Sequence, residues 1–250
     1  DNAEALMLKA NAALYRAREL GHHGVQLFAE EMAQRITQRF EIENGLRRAL
    51  EHGELFLQYQ AQIQTDGSLG GCEALLRWRR GAEVVPPGVF IPFAEQSTLI
   101  VPMTEWVVRQ ACRDLRHWQA QGVVVPVVSV NIAARHFQYD SMVDSLVQIA
   151  GEEKIHPSRL CLEVTEGALV DPVHCEHKLV ALKAAGFAVS IDDFGTGFSS
   201  LSYLKRFRLD ELKIDRSFVQ GIENSAGDRA IVAATLSMAH SLNLRVVAEG

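Results

Sequence analysis

Residues 159–193 read RLCLEVTEGALVDPVHCEHKLVALKAAGFAVSIDD, and this stretch decides the fold. It predicts a strand over 159–164, a helix over about 172–185 and a second strand over 187–192. Asp171 is a suitable helix N-cap, and Pro172 follows at the first helical position, where its missing N–H costs nothing. Gly186 stands where a left-handed C-cap belongs. Working outward, further strands are predicted over 55–63, 71–78, 127–132, 210–215 and 244–249. Helices are predicted over about 102–121, 140–151 and 227–242, and Gly122 is a second C-cap. The runs 187–192 and 244–249 are mainly apolar, as expected for strands covered by helices. This alternation predicts an α/β fold with a largely parallel sheet. A (β/α)8 barrel and an open doubly wound sheet both fit. The count is about seven strands, so a closed barrel would lack its eighth.

Composition excludes several classes. The 250 residues carry 25 Lys+Arg against 31 Asp+Glu, a net charge of -6, and 48% are hydrophobic, which argues against disorder. The mild acidity argues against a nucleic-acid partner, which would require a basic face. No run approaches the ~20 apolar residues of a membrane helix, because Pro126, Ser129 and Asn131 break the nearest candidate. The N-terminus shows no signal-peptide core. Cys72, Cys112, Cys161 and Cys175 form no CxxC pair, and the reading is reduced thiols in a cytoplasmic domain.

The N-terminal segment differs from the rest. Leu6, Ala10, Ala13, Leu14, Ala17 and Leu20 recur at helical spacing, and Gly21 is a plausible stop. Val25–Phe28 reads as a short strand, followed by a helix from about Ala29 to His52. The first helix and strand are too little for a core, so they read as the tail of a domain cut upstream.

Polar residues punctuate the strands near their ends. Glu73 lies in the second strand, Asn131 ends the third, Glu163 ends the fourth and Asp192-Asp193 end the fifth. Lys213 lies in the sixth, and Glu249 ends the seventh. In a barrel these ends converge on the face that holds active sites. Carboxylates so close together would repel one another, and bound cations remove that problem. Oxygen ligands from Asp, Glu and Asn suit Mg²⁺, Mn²⁺ or Ca²⁺ rather than zinc. Two metals about 3.5–4 Å apart, bridged by a carboxylate such as Asp192, suit phosphoester hydrolysis. Lys213 could orient the attacking water or offset charge developing on the phosphate. Singly, each residue also reads as a cap or a solvated charge, Asn131 as a turn former, and Lys213 as a partner of Asp210 or Asp215. Glu73 in an apolar strand is harder to dismiss, since unpaired burial costs several kcal/mol.

At these residues the sequence resembles a known family. Glu73-Ala74-Leu75-Leu76-Arg77-Trp78 is similar to the signature of EAL domains, the bacterial cyclic-di-GMP phosphodiesterases. The resemblance continues through Ser129–Ala133, Leu162–Glu166, Ile191–Leu201, Leu212–Phe218 and Val247–Gly250, in family order over roughly residues 36–250. It implies a (β/α)8 TIM-like barrel with an antiparallel first strand. It implies two Mg²⁺ or Mn²⁺ ions and hydrolysis of cyclic di-GMP to linear pGpG. By motif, Glu73, Asn131, Glu163, Asp192 and Asp193 would hold the metals. Glu249 would be a ligand or general base, and Lys213 would contact the attacking water. Gln60, Arg77 and Asp215 match substrate-contacting positions. Arg77 also lies four residues beyond Glu73 on the same strand face, where a guanidinium suits a phosphate. Glu166 would anchor the glycine-bearing loop 193–200, which in the family is linked to metal binding and dimerisation, so a homodimer is expected.

The residues Ala12–Arg18, with Gly21 and Phe28, resemble the end of a GGDEF domain, the diguanylate cyclase family that often precedes EAL domains. The expected organisation is a GGDEF-like remnant over 1–32 and an EAL domain over 33–250, with an upstream GGDEF domain in the same parent chain. That parent is open to membrane anchoring through upstream segments. Departures from the family are Ala61 for a usual Pro, Thr98 for Gly, Phe198 for Tyr and His22-His23 for Arg-Asn. The family continues past Gly250 with a helix, a last strand and a further active-site Gln, so the last strand and helix are expected to be missing from this chain and its site to be incomplete. The competing reading is a catalytically silent EAL domain that binds cyclic di-GMP as a receptor or docks a protein. Silent members usually lose acidic ligands, and here those matched by motif are in place.

Overall fold

The computed structural model describes residues 3–19, 27–170, 172–195 and 207–249. Two helices lead in, α1 (Ala3–Glu19) and α2 (Glu30–His52). Glu30 and Glu31 occupy the first turn of α2, where the helix dipole favours acid, and Gly53 ends it at φ 70 with its N–H on Ala49 O. The strand expected over Val25–Phe28 is not formed at Leu27 and Phe28. No described strand flanks them to take their backbone hydrogen bonds. Gly21, Val25 and Gln26 lie outside the described residues. Helix α2 runs unbroken across the 32/33 position, and its buried residues Ile42, Leu46 and Ala49 belong to the main body.

The chain then alternates close to the predicted bounds. It forms β1 (Leu55–Ile63), β2 (Leu69–Arg80), β3 (Glu83–Val85), α3 (Pro87–Glu95), α4 (Ile100–Ala120), β4 (Val128–Ile132) and α5 (Met142–Glu152). There follow β5 (Leu160–Thr165), α6 (Pro172–Ala184), β6 (Ala188–Phe194), β7 (Glu211–Ile214), α7 (Arg216–Gly221), α8 (Ala226–Ser241) and β8 (Arg245–Ala248). Gly122 and Gly186 adopt φ 78 and 98, as their capping roles require. Asp171 lies outside the described residues. The short elements β3, α3 and α7 were not anticipated; none is long enough to show a clear period.

Among the described residues one sheet contains all the strands, in the order β1-β2-β4-β5-β6-β7-β8, with β3 also paired to β2. The β1–β2 pairing is antiparallel and the successive pairings from β2 to β8 are parallel. The order follows the chain without the reversal that defines a doubly wound sheet, so the barrel alternative is the one realised. The sheet curls strongly. Lys213 on β7 and Glu73 on β2 are four strand spacings apart, about 19 Å in a flat sheet at ~4.8 Å each. Their charged atoms meet at 3.0 Å. Among the described residues β1 and β8 are the two edges of a partial barrel.

Side chains alternate across this curved sheet. Val128, Val130, Leu160, Leu162, Val189, Ile191, Leu212 and Ile214 join the buried core with the helices. The intervening Ser129, Asn131, Cys161, Glu163, Ser190, Asp192, Glu211 and Lys213 therefore face inward. A second core fixes β2 from outside. Ile42, Leu46 and Ala49 of α2, Phe90 of α3 and Met103 of α4 enclose Trp78, which is 1% exposed. Burying that ring contributes roughly 4–6 kcal/mol of transfer free energy. Trp78 donates to Glu54 Oε2 at 3.2 Å. With Trp78 locked outward, Glu73, Leu75 and Arg77 present the opposite face of β2. Among the described residues no helix is long and apolar enough to cross a membrane.

Candidate functional site

Lys213 organises the inner face at the C-terminal ends of the strands. Its Nζ lies 3.0 Å from Glu73 Oε2, 2.9 Å from Glu163 Oε2, 3.1 Å from Asp192 Oδ1 and 2.6 Å from Glu249 Oε1. Asn131 Nδ2 donates to Glu73 Oε1 at 2.7 Å, which leaves its amide oxygen as a further acceptor. Residues from β2, β4, β5, β6, β7 and the segment after β8 thus share one cluster. The alternative pairings of Lys213 are not made. Asp210 holds Lys183 and accepts from the Val189 N–H. Asp215 caps α7, accepting from the Ser217 N–H at 3.0 Å.

Asp192 and Asp193 are neighbours on a strand, so regular pleating would aim their side chains to opposite faces. Two features change this. Asp193 takes the left-handed conformation at φ 53, and the β6–β7 register breaks between Ile191 and Phe194. Such a bulge re-aims side chains at a strand end. As a result Asp192, Asp193 and Glu249 offer carboxylate oxygens within 4.8 Å of one another.

The charges are unequal, since one ammonium cannot balance five carboxylates. Burial, reinforced by the Glu73 charge and only partly offset by Lys213, pushes the Glu163 carboxyl up to about 8. Burial and the Asp192 charge raise Asp193. Burial disfavours the Lys213 ammonium, but Glu163, Glu73 and Asp192 outweigh it and hold the proton firmly. Hydrogen bonds from Ser217 lower Asp215. Glu163 Oε1 is buried without a hydrogen-bond partner. An orphaned carboxylate oxygen inside an excess of hard acidic donors fits a divalent cation.

The remaining predicted residues lie around this cluster. Gln60 is opposite Glu73 in the β1–β2 register. It lines a cleft of about 1200 Å³ shared with Glu73, Asp192, Lys213, Arg216 and Glu249. Arg77 is set apart from the carboxylates: its Nε donates to Gln58 Oε1 at 2.7 Å and its Nη1 to Leu76 O at 3.0 Å. Glu166 opens a 3-10 turn after β5, and its Oε2 accepts from the Gly195 N–H at 3.3 Å. Gly195, at φ 97, is the last described residue of the glycine-bearing loop; 196–200 lie outside the described residues. Gln58 was not singled out from the sequence. The alternation Gln58-Gln60-Gln62 along β1, on the face of Glu73, is the signal that marks it.

The sequence profile of EAL domains matches residues 43–250. The chain is 41% identical over 248 residues to the bifunctional diguanylate cyclase/cyclic di-GMP phosphodiesterase MucR of Pseudomonas aeruginosa, covering 98% of this chain and 36% of that protein. It is 39% identical over 253 residues to the cyclic di-GMP phosphodiesterase NbdA of the same organism, covering 100% of this chain and 32% of that protein. The chain therefore spans about a third of the length of these curated relatives. Among solved structures, the PaMucR phosphodiesterase in complex with c-di-GMP superposes with a TM-score of 0.80 at 42% identity, over 84% of this chain and 86% of that one. The EAL enzyme Bd1971, in its cAMP- and cyclic-di-GMP-bound form, gives 0.81 at 30% identity, over 100% and 66%.

Proposed function

The chain belongs to the EAL domain family, and on that premise we propose that it hydrolyses cyclic di-GMP to linear pGpG using two Mg²⁺ or Mn²⁺ ions. The observation that carries this reading is the convergence of Glu73, Glu163, Asp192 and Glu249 on Lys213, with Asp193 and Asn131 alongside. Glu73, Asn131, Glu163, Asp192 and Asp193 would hold the ions. Bound there, the ions would acidify a water and offset charge on the phosphate.

The chain's own residues supply the rest. Gln60 and Arg77 bind and orient the dinucleotide, and Asp215 is a further substrate contact. Glu249 accepts the proton of the attacking water or serves as a further ligand. Lys213, protonated through the working range, orients that water and offsets negative charge on the phosphate. The water oxygen bonds to phosphorus, one P–O ester bond breaks, and the leaving sugar oxygen takes a proton. Glu166 holds the backbone of Gly195 and so the start of the loop that follows the two aspartates. The same reading includes a GGDEF-like remnant over 1–32, the EAL domain over 33–250, a cytoplasmic setting and a homodimer built through the loop after Asp193.

The test is product analysis with cyclic di-GMP and Mn²⁺. Linear pGpG as the first product is expected. Tight binding without any product would support a receptor instead.

A further inference from the structure

Beside Gln60 and Arg77, two of the residues proposed to touch substrate, stands one with no role in that scheme. In the β1–β2 ladder Gln58 is opposite Leu75 and Gln60 is opposite Glu73. Paired residues in an antiparallel ladder point to the same side, so Gln58, Gln60, Glu73 and Arg77 share one face. Gln58 reaches diagonally along that face, and its Oε1 accepts from Arg77 Nε at 2.7 Å. The other contact of the guanidinium, Nη1 to the carbonyl of Leu76, is made to the adjacent residue of its own strand. A guanidinium carries five N–H donors. These bonds occupy Nε and one N–H of Nη1, and leave the outer edge of the fork for an anion.

We propose that Gln58 is a positioning residue that holds the Arg77 guanidinium in its phosphate-binding orientation; this rests on the cyclic-di-GMP site described above. The choice of an amide matters. A carboxylate at position 58 would hold Nε equally well, but it would cancel the charge that attracts the phosphate. The neutral Gln58 oxygen fixes the plane of the fork and leaves its charge intact. A long arginine side chain otherwise loses rotamer freedom when the ligand arrives, and a pre-formed hydrogen bond removes part of that cost. Gln58 itself is exposed on a strand held by its backbone ladder, so replacing it leaves the fold in place.

The experiment measures cyclic di-GMP turnover with Mn²⁺ and cyclic di-GMP binding with Ca²⁺. The proteins compared are the unmodified chain, Gln58→Leu, Arg77→Ala and the double variant. Gln58→Leu is expected to raise KM and Kd about 3–10-fold with kcat nearly unchanged. In the Arg77→Ala background the same substitution should have no further effect, because the two residues act as one unit. A loss of fold alone would not produce this split or this coupling. An unchanged KM in Gln58→Leu, or the same factor in both backgrounds, would overturn the inference while leaving the site reading intact. Failure of the unmodified protein to bind or turn over cyclic di-GMP would instead overturn the site reading, and the inference with it.

Discussion

Lys213 Nζ lies 2.9 Å from Glu163 Oε2, and both side chains are withdrawn from solvent, 1% and 0% exposed. The same ammonium meets three further carboxylates, so its removal leaves several acids without a counter-charge. Removing one partner of a buried ion pair costs about 3–5 kcal/mol. Lys213→Met should therefore lower the urea midpoint strongly and abolish turnover. The deficit should shrink as the pH falls, because protonating Glu163 and Asp193 removes the repulsion. Urea unfolding at pH 8 and pH 6 measures both effects, and a Lys213→Met midpoint equal to that of the unmodified protein would refute the hub role.

The donor set sets the metal requirement. Hydrolysis of cyclic di-GMP should require Mg²⁺ or Mn²⁺ and stop with EDTA. Ca²⁺ should inhibit, since its longer bonds and looser geometry suit a compact two-ion site poorly. Glu73→Ala and Asp192→Ala should each abolish turnover, whereas Arg77→Ala should mainly raise KM. Full turnover in metal-free buffer would sink the two-ion proposal.

Gly45 tests the packing that holds β2. A Cβ at this position would come within 2.6 Å of the Trp78 ring. Alanine gains about 1 kcal/mol of helix propensity over glycine. Overpacking costs typically about 1–3 kcal/mol, and Trp78 is confined by α2, α3 and α4. The steric term should win, so Gly45→Ala should lower stability despite being helix-favouring. A chemical-denaturation midpoint at or above that of the unmodified protein would show that α2 moves away freely.

His136 predicts a pH effect away from the carboxylate cluster. It is 1% exposed, and its Nδ1 has no hydrogen-bond partner. Burial lowers its pKa from 6.5; the Glu105 charge opposes the shift and Lys178 reinforces it. A group with a depressed folded-state pKa takes up its proton more readily when unfolded. Its contribution is full above pH 6.5 and is lost as the pH falls through the lower folded-state value. The unmodified protein should thus lose more stability between pH 7 and pH 5 than His136→Leu does. Parallel pH profiles for the two proteins would exclude His136 as the source.

Much of the fold was legible because its signals are local. Gly122 and Gly186 end helices through their own backbone freedom. The strand positions of Glu73, Asn131, Glu163 and Lys213 followed from the apolar residues around them. Other features depend on contacts that the one-dimensional pattern does not carry. Asp210 and Asp215 were as close to Lys213 in sequence as any partner, yet Asp210 pairs with Lys183 and Asp215 caps a helix. The short strand expected near Val25 failed at Leu27 and Phe28 because propensity alone supplies no pairing partner.

By itself, then, the sequence determined the α/β alternation, the family motifs and the identity of the acidic residues, because residue type and spacing encode each of these directly. The strand and helix pattern alone left barrel and doubly wound sheet open and the family motifs implied the barrel; the strand pairing between distant segments is what realises it. The tertiary structure alone turned Asp192 and Asp193 toward one centre, through a bulge and one left-handed residue. It alone closed Lys213 on carboxylates 140 and 50 positions away along the chain, because curling the sheet converts sequence distance into ångströms. The Gln58–Arg77 bond is of the same kind: the register across a hairpin set it, and neither residue type requires it.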